Sequence, residues 1–428
     1  MFICPRISVL NMKRPLALLL CLLVMTMSLA GCVGGNDDSL ETPEHVVDNL
    51  LCIGEIGWGH GREMVDMPNV ITPIVFNGEL YYFADNSERM GADLWKYNGM
   101  NASIVAEIGG WDETGFVIFN NELYFGASDE IHGHELWKYD GSTASMVADI
   151  EPGSNDSDLT DLQVYNGELY FSAYDALNGF ELWMYDGTNA PSMVANINPG
   201  YNSSFPRTLT VFNNELYFGA TDGIHGHELW KYNGTNLSMV VDMNPQRMDD
   251  MLNWWYNGSF PFIIAVFNNE LYFIGTTDWD NRLSELWKTD GINTSMVDSK
   301  VAAYGTVFEG DLILWTDTGL ESYDGTNYSS IFTSHWSNKF GAMGISVPIV
   351  SNGNLFFGTI NENYVQELWM YDGTNTSLVA TSYNPVISNE EGIENPTNPM
   401  HRLTQYNDDL YVVVDVNDTM ELCKYSPL

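Results

Sequence analysis

From Thr208 to Met243, apolar and polar residues alternate in short runs separated by turn-forming residues, a spacing that predicts β-strands. The run Thr208 to Phe212 meets Asn213-Asn214, a pair that tolerates positive φ and so turns the chain tightly into Glu215–Ala220. A polar loop from Thr221 to Gly226 leads to His227-Glu-Leu-Trp-Lys-Tyr232, and Asn233-Gly234-Thr235 turns that run into Ser238–Met243. The runs are rich in β-branched and aromatic residues, and the joins are too short for a helix. The segment predicts a four-stranded β-meander.

The same pattern recurs along the chain. Glu-Leu-Trp, or Asp93-Leu-Trp, places Trp95, Trp137, Trp183, Trp230, Trp287 and Trp369 in equivalent positions, the first five separated by 42, 46, 47 and 57 residues. Such spacing is that of one propeller blade. First strands are expected near Val70, Gly115, Leu159, Arg207, Phe260, Ala303, Ile345 and His401. The sixth copy is degenerate, with Glu321 in the Trp place, and the eighth has Cys423 there. That last copy stops at Leu428 without a fourth strand, whereas Cys52–Gly57, ahead of the first copy, aligns with the fourth strand Ile104–Gly109. Pairing the two closes a circle and removes exposed strand edges. The expected fold is all-β: an eight-bladed β-propeller of four-stranded antiparallel blades over residues 49–428, closed by its N-terminal strand. Seven blades plus a detached degenerate unit is the alternative.

Closure brings Cys52 and Cys423 to same-face positions on neighbouring strands of the last unit, where a disulfide would lock the ring. The other reading is two buried free thiols, because a slip of one pair in register would separate the sulfurs.

Lys13 and Arg14 precede an apolar run, Pro15 to Met27, that is shorter than the ~20 residues of a membrane span and ends in Leu29-Ala-Gly-Cys32. This tetrapeptide resembles the lipobox of prokaryotic lipoproteins. The resemblance implies a signal peptide over 1–31, acylation of Cys32, a polar tether over 32–48 and a protein held outside the cell on the membrane by its lipid.

Sixteen Lys and Arg stand against 57 Asp and Glu, a net charge of −41, and removing the leader's Arg6, Lys13 and Arg14 takes it to about −44. Such a surface repels nucleic acid and offers no basic stripe to it. Ten Asn-x-Ser/Thr triplets occur, and those at Asn101, Asn233, Asn293, Asn327 and Asn375, in the turn between third and fourth strands, are the expected glycosylation sites. Turn chemistry also calls for these residue types there.

Asp129-x-x-His-Gly-His-Glu135 and its copy Asp222-x-x-His-Gly-His-Glu228 hold imidazoles and carboxylates in metal-ligand density. Yet the third copy carries Asn178 and Phe180 in place of the histidines, which a metal site would not tolerate. The wider pattern Ala127-x-Asp129-x-x-His-Gly133-x-x-x-Trp137, with copies ending at Trp183 and Trp230, resembles the tryptophan-docking motif of the eight-bladed quinoprotein alcohol dehydrogenases. The resemblance implies that each Trp packs against a neighbouring blade. It does not extend to activity, since this chain has no vicinal cysteine pair and little Arg. Glu-Leu-Trp-Lys-Tyr-Asp-Gly-Ser at Glu135 and Glu-Leu-Trp-Met-Tyr-Asp-Gly-Thr at Glu181 and Glu367 resemble the ELWxxDGT repeat of exported prokaryotic proteins, which implies a surface repeat protein and no enzyme.

In a four-stranded blade the loop between second and third strands and the connection to the next blade emerge on one side, and the tight turns on the other. The first side carries the long, variable segments, where functional residues concentrate. Its candidate binding residues are Trp111, Asp129, His132, His134, Tyr201, Asp222, His225, His227, Trp254, Trp255 and Trp279. Aromatics among carboxylates suit a glycan, a cationic peptide or a protein partner bridged by Ca2+, with no other cofactor expected. The expected function is a monomeric, lipid-anchored cell-surface binding or adhesion module. The alternative is an extracellular enzyme acting on polysaccharide through a carboxylate pair.

Overall fold

The computed structural model describes residues 50–55, 72–85, 92–110, 114–129, 131–243, 258–278, 283–299, 304–333, 346–361, 365–383, 401–416 and 419–426. Residues 1–49, with the expected signal peptide, Cys32 and the expected tether, lie outside them. The described chain is strand and turn with no helix, and it forms a β-propeller.

The unit read from Thr208–Met243 consists of Arg207–Phe212, Glu215–Thr221, His227–Tyr232 and Leu237–Val241, each antiparallel to the next. Equivalent meanders begin at Ile74, Val117, Thr160, Phe262, Gly305, Ile349 and His401, while the expected starts at Val70, Ala303 and Ile345 lie outside the described residues. Two strands start two residues later than expected, at Val117 and Phe262, after Gly115 (φ 72°) and Phe260 (φ 47°) in left-handed backbone; the equivalent left-handed residues Asp161 (59°) and Thr208 (56°) sit inside their strands at a shift of register. The hairpin in each unit is a two-residue turn with both residues at positive φ, as at Asn120 (49°) and Asn121 (61°) or Asn213 (48°) and Asn214 (59°). This turn matches the right-handed twist of the strands, which is why Asn-Asn and Asn-Gly recur there.

Six sheets have four strands; a seventh joins the first two units through Gly109 and Gly110 against Ser128 and Ala127. Each apolar core lies between successive units. Tyr81 and Phe83 of the first unit pack with Phe125 and Trp137 of the second, Leu169 and Phe171 of the third with Phe119 and Leu136 of the second, and so on to Phe356 against Leu410 and Val412 of the last. Leu80, Tyr82 and Tyr97 of the first unit then pack with Tyr411, Val413 and Leu422 of the last, so the ring is closed.

The last sheet is completed from the other end of the chain. Leu51–Glu55 pairs antiparallel with Thr419–Tyr425, with Cys52 opposite Cys423, and the two cysteines form a disulfide across 371 residues. The last meander thus receives its fourth strand from the N-terminal side, with a covalent latch between them.

Candidate binding face on the connector side

In the second, third and fourth units the loop between second and third strands is closed by an aspartate at its start. Asp129 Oδ1 accepts the N–H groups of Ile131 (3.0 Å) and His132 (2.9 Å), and its Oδ2 lies 2.7 Å from His132 Nδ1. Asp222 does the same for Ile224 (2.8 Å) and His225 (2.7 Å), with 2.6 Å to the imidazole. In the third copy Asn178 replaces the histidine and donates its amide to Asp175 at 2.8 and 2.9 Å. A hydrogen-bond donor is therefore what the position requires, and either side chain supplies it; the substitution that would abolish a metal site leaves this turn intact. Burial works against the charge of Asp129, but the N–H groups of His132 and Ile131 and the imidazole hold its carboxyl below the ordinary range. The same hydrogen bond raises the pKa of His132.

The following residues dock the loop onto the connection to the next unit. A Cβ on Gly133 (φ 69°) would collide with the carbonyl oxygen of Asn155. His134 N–H donates to Asp156 Oδ1 (2.7 Å), and Ser157 returns its N–H (3.0 Å) and hydroxyl (2.8 Å) to the His134 carbonyl. His227 is held likewise by Ser259, its Nε2 lies 3.1 Å from Phe205 O, and its ring stacks on Phe260 at 5.0 Å. His134 and His227 are buried, which corrects their assignment to an exposed binding surface: they occupy strand-start positions that point under the connector. Burial pushes both imidazoles down to about 4, so they are neutral structural groups at ordinary pH.

Sequence reasoning missed the glutamate of Glu-Leu-Trp. Glu135, Glu181 and Glu228 are fully buried. Glu135 accepts the N–H of Ile150 at 2.8 Å; Glu181 accepts those of Ile197 (2.8 Å) and Asn198 (3.2 Å) and the Ser204 hydroxyl (2.7 Å); Glu228 accepts Met243 N–H (3.1 Å) and the Ser259 hydroxyl (2.7 Å). Each ties its third strand to the chain leaving the fourth. Burial pushes all three carboxyls up to about 7. The signal was available, because an acid precedes Leu-Trp at Asp93, Glu135, Glu181, Glu228, Glu285 and Glu367, more regularly than a solvated position demands.

The tryptophans after these acids all pack towards the preceding unit: Trp137 in the core shared with the first, Trp183 with the second, Trp230 with the third, Trp287 with the fourth, Trp369 with the sixth and Trp95 with the last. Trp287 donates to Glu285 (3.1 Å) and Trp369 to Glu367 (3.0 Å). The indole N–H groups of Trp95, Trp137, Trp183 and Trp230 meet no acceptor among the described residues, so packing, rather than a hydrogen bond, holds these rings.

Of the expected surface aromatics, Tyr201 is 82% exposed on the connection after the third unit. Trp111, Trp254, Trp255 and Trp279 lie outside the described residues. On the opposite side Asn101, Asn233, Asn293, Asn327 and Asn375 are all exposed, in turns between third and fourth strands. Among the described residues the group of His, Cys, Asp and Glu close enough to share an ion is Cys52, Glu421 and Cys423, whose two sulfurs are already bonded to each other.

No protein-family model and no curated protein sequence matches the chain. Solved structures similar to it include a prolyl endopeptidase (TM-score 0.48, 11% identity, 81% of this chain and 54% of that one). Another is the β-propeller domain of the Trilobed protease from Pyrococcus furiosus (0.45, 9%, 74% and 99%), described as having an open velcro topology. A third is an extracellular domain assigned to a one component system of B. thetaiotaomicron (0.43, 13%, 87% and 52%). The chain spans about half the length of the first and third of these.

Proposed function

We propose that this chain is an exported, monomeric, eight-bladed propeller of the ELWxxDGT-repeat type, held at the cell surface through acylated Cys32, that binds glycan, peptide or protein ligands with its connector side. Eight apolar cores among the described residues, each shared by two successive units, support the blade number. The observation that carries the binding reading is the way buried Glu135, Glu181 and Glu228, with Ser157, Ser204 and Ser259, fix the connections against the loops. Loops on one side of a closed ring become a preorganised surface, and preorganisation lowers the entropy cost of binding. The repeated Asp-x-x-His motif serves this loop closure, so its chemistry is accounted for without a reaction. Glycan and peptide arrays probed with the intact protein, with the bound fractions checked for products, test the reading. Retention of unchanged ligand is expected. Product formation that is lost on changing a carboxylate pair would replace it with an enzyme.

A further inference from the structure

Ile131, Leu177 and Ile224 are 66%, 82% and 62% exposed, and they occupy one equivalent position in the second, third and fourth units. Each is the second residue after the loop aspartate, with its N–H bound to that carboxylate at 3.0, 2.8 and 2.8 Å. The turn therefore holds each aliphatic side chain outward in a fixed direction.

The loops that carry them are parts of one continuous surface. The connection after the second unit touches both neighbours: its Asn155 carbonyl lies against Gly133, and its Glu151 accepts the N–H of Ala176 at 2.7 Å. The connection after the third unit does the same, since Ser203 Oγ accepts Phe180 N–H at 3.0 Å and the Asn198 side chain lies 2.6 Å from where a Cβ on Gly223 would stand. Tyr201 projects from this second connection. An arc of exposed apolar side chains thus crosses three units on a firmly packed base.

The arc is also electronegative. Residues 128–134, 149–159, 175–179, 197–206 and 221–227 contain no Lys or Arg, while Asp156 and Asp158 stand exposed among them; the cation at their border is exposed Arg207, whose charge acts on Asp161 and His227. The lysines at 96, 138, 231, 288 and 424 lie elsewhere, each paired with an acid of the adjacent second strand. We propose that this arc docks a cationic amphipathic segment of another protein, apolar side chains seated on Ile131, Leu177, Ile224 and Tyr201 and Lys or Arg facing the flanking acids. A second copy, with its own net charge of −41, and an anionic membrane are both repelled. A neutral glycan gains nothing from the field. The proposal rests on the connector side being the binding surface, and names its ligand.

The test uses the intact protein and an amphipathic Lys/Leu peptide, with a neutral glycan panel in parallel. The peptide is expected to bind, more weakly as salt rises. Replacing Ile131, Leu177 and Ile224 together by Ser should weaken it about tenfold or more, whereas Ile292→Ser, on an exposed turn of the opposite side, should not. Unchanged thermal unfolding of the triple variant separates lost docking from lost fold. Equal binding to the triple variant overturns the proposal. Glycan binding with a silent peptide overturns it while leaving the connector side as the binding surface; silence of both probes overturns both readings.

Discussion

The side-chain amide of Asn120 lies so close to Gly187 of the next unit that a Cβ on that glycine would stand 2.6 Å from the amide nitrogen. The contact repeats around the ring: Asn77 against Gly141, Asn166 against Gly234, Asn213 against Gly291 and Asn268 against Gly325, with Glu309 against Gly373. The glycine of this Asp-Gly or Asn-Gly turn is therefore the seat for the first hairpin of the preceding unit, and the Asp or Asn before it caps the turn, as Asp186 does for Thr188 (2.7 Å) and Asn189 (2.8 Å). Gly187→Ala should be destabilising by about 1–3 kcal/mol through left-handed strain and this contact together. Gly153→Ala, also at positive φ but with open space around it, measures the strain alone. Chemical denaturation of both variants checks the difference, and equal losses would show that the hairpin contact contributes nothing.

The disulfide between Cys52 and Cys423 closes nearly the whole described chain into one loop. Cys52→Ser and Cys423→Ser should each cost about 2–5 kcal/mol, and the double variant little more than either one, because both remove the same bond. The reduced wild-type protein should match them. Additive losses would mean that side-chain packing, not the bond, dominates.

Trp137 and Phe125 sit in the core between the first two units. Either one changed to Ala should cost about 3–5 kcal/mol, the range for emptying an aromatic site in a packed core. The exposed Ile131→Ala is the comparison, expected within about 0.5 kcal/mol of wild type. Thermal unfolding resolves the contrast.

Most of the fold was legible in the alternation itself. The Asn-Asn and Asn-Gly pairs fixed the hairpins, and the match of Cys52–Gly57 to a fourth strand fixed the closure, because period-two patterning and positive-φ turns are local properties that sequence displays directly. What stayed hidden were contacts between units. His134 and His227 read as surface ligands because sequence cannot show a connector folding over them, and Glu135 read as half of a motif because its partners, the N–H groups of Ile150 and Glu151, carry no side-chain signature. The ligand surface was legible only as a side of the disc; the row of Ile131, Leu177 and Ile224 becomes visible once the Asp turns show that these side chains point away from the protein.

Glu181 lends itself to a pH test because its unit has Phe180, not histidine, beside it. Its carboxyl, raised by burial from 4.5 to about 7, stays protonated in the folded protein at pH values where the unfolded chain has already lost the proton. Stability must then fall as pH rises from 4.5 to about 7, with the full penalty present above that. Glu135 and Glu228 act in the same sense, whereas His134 and His227, lowered from 6.5 to about 4, make stability rise with pH between those two values. The two effects oppose each other below pH 6.5; above 6.5 the buried histidines drop out, and the raised His132 joins the glutamates in lowering stability as pH rises. Glu181→Gln keeps an acceptor for Ile197 but turns an amide towards the N–H of Asn198, so it lowers stability by a constant amount while removing its share of the slope. Denaturant titrations at pH 6, 7 and 8 should show a shallower decline for the variant than for wild type. An identical slope would place the pH dependence in the general repulsion of a chain with net charge −41 and not in this buried carboxyl.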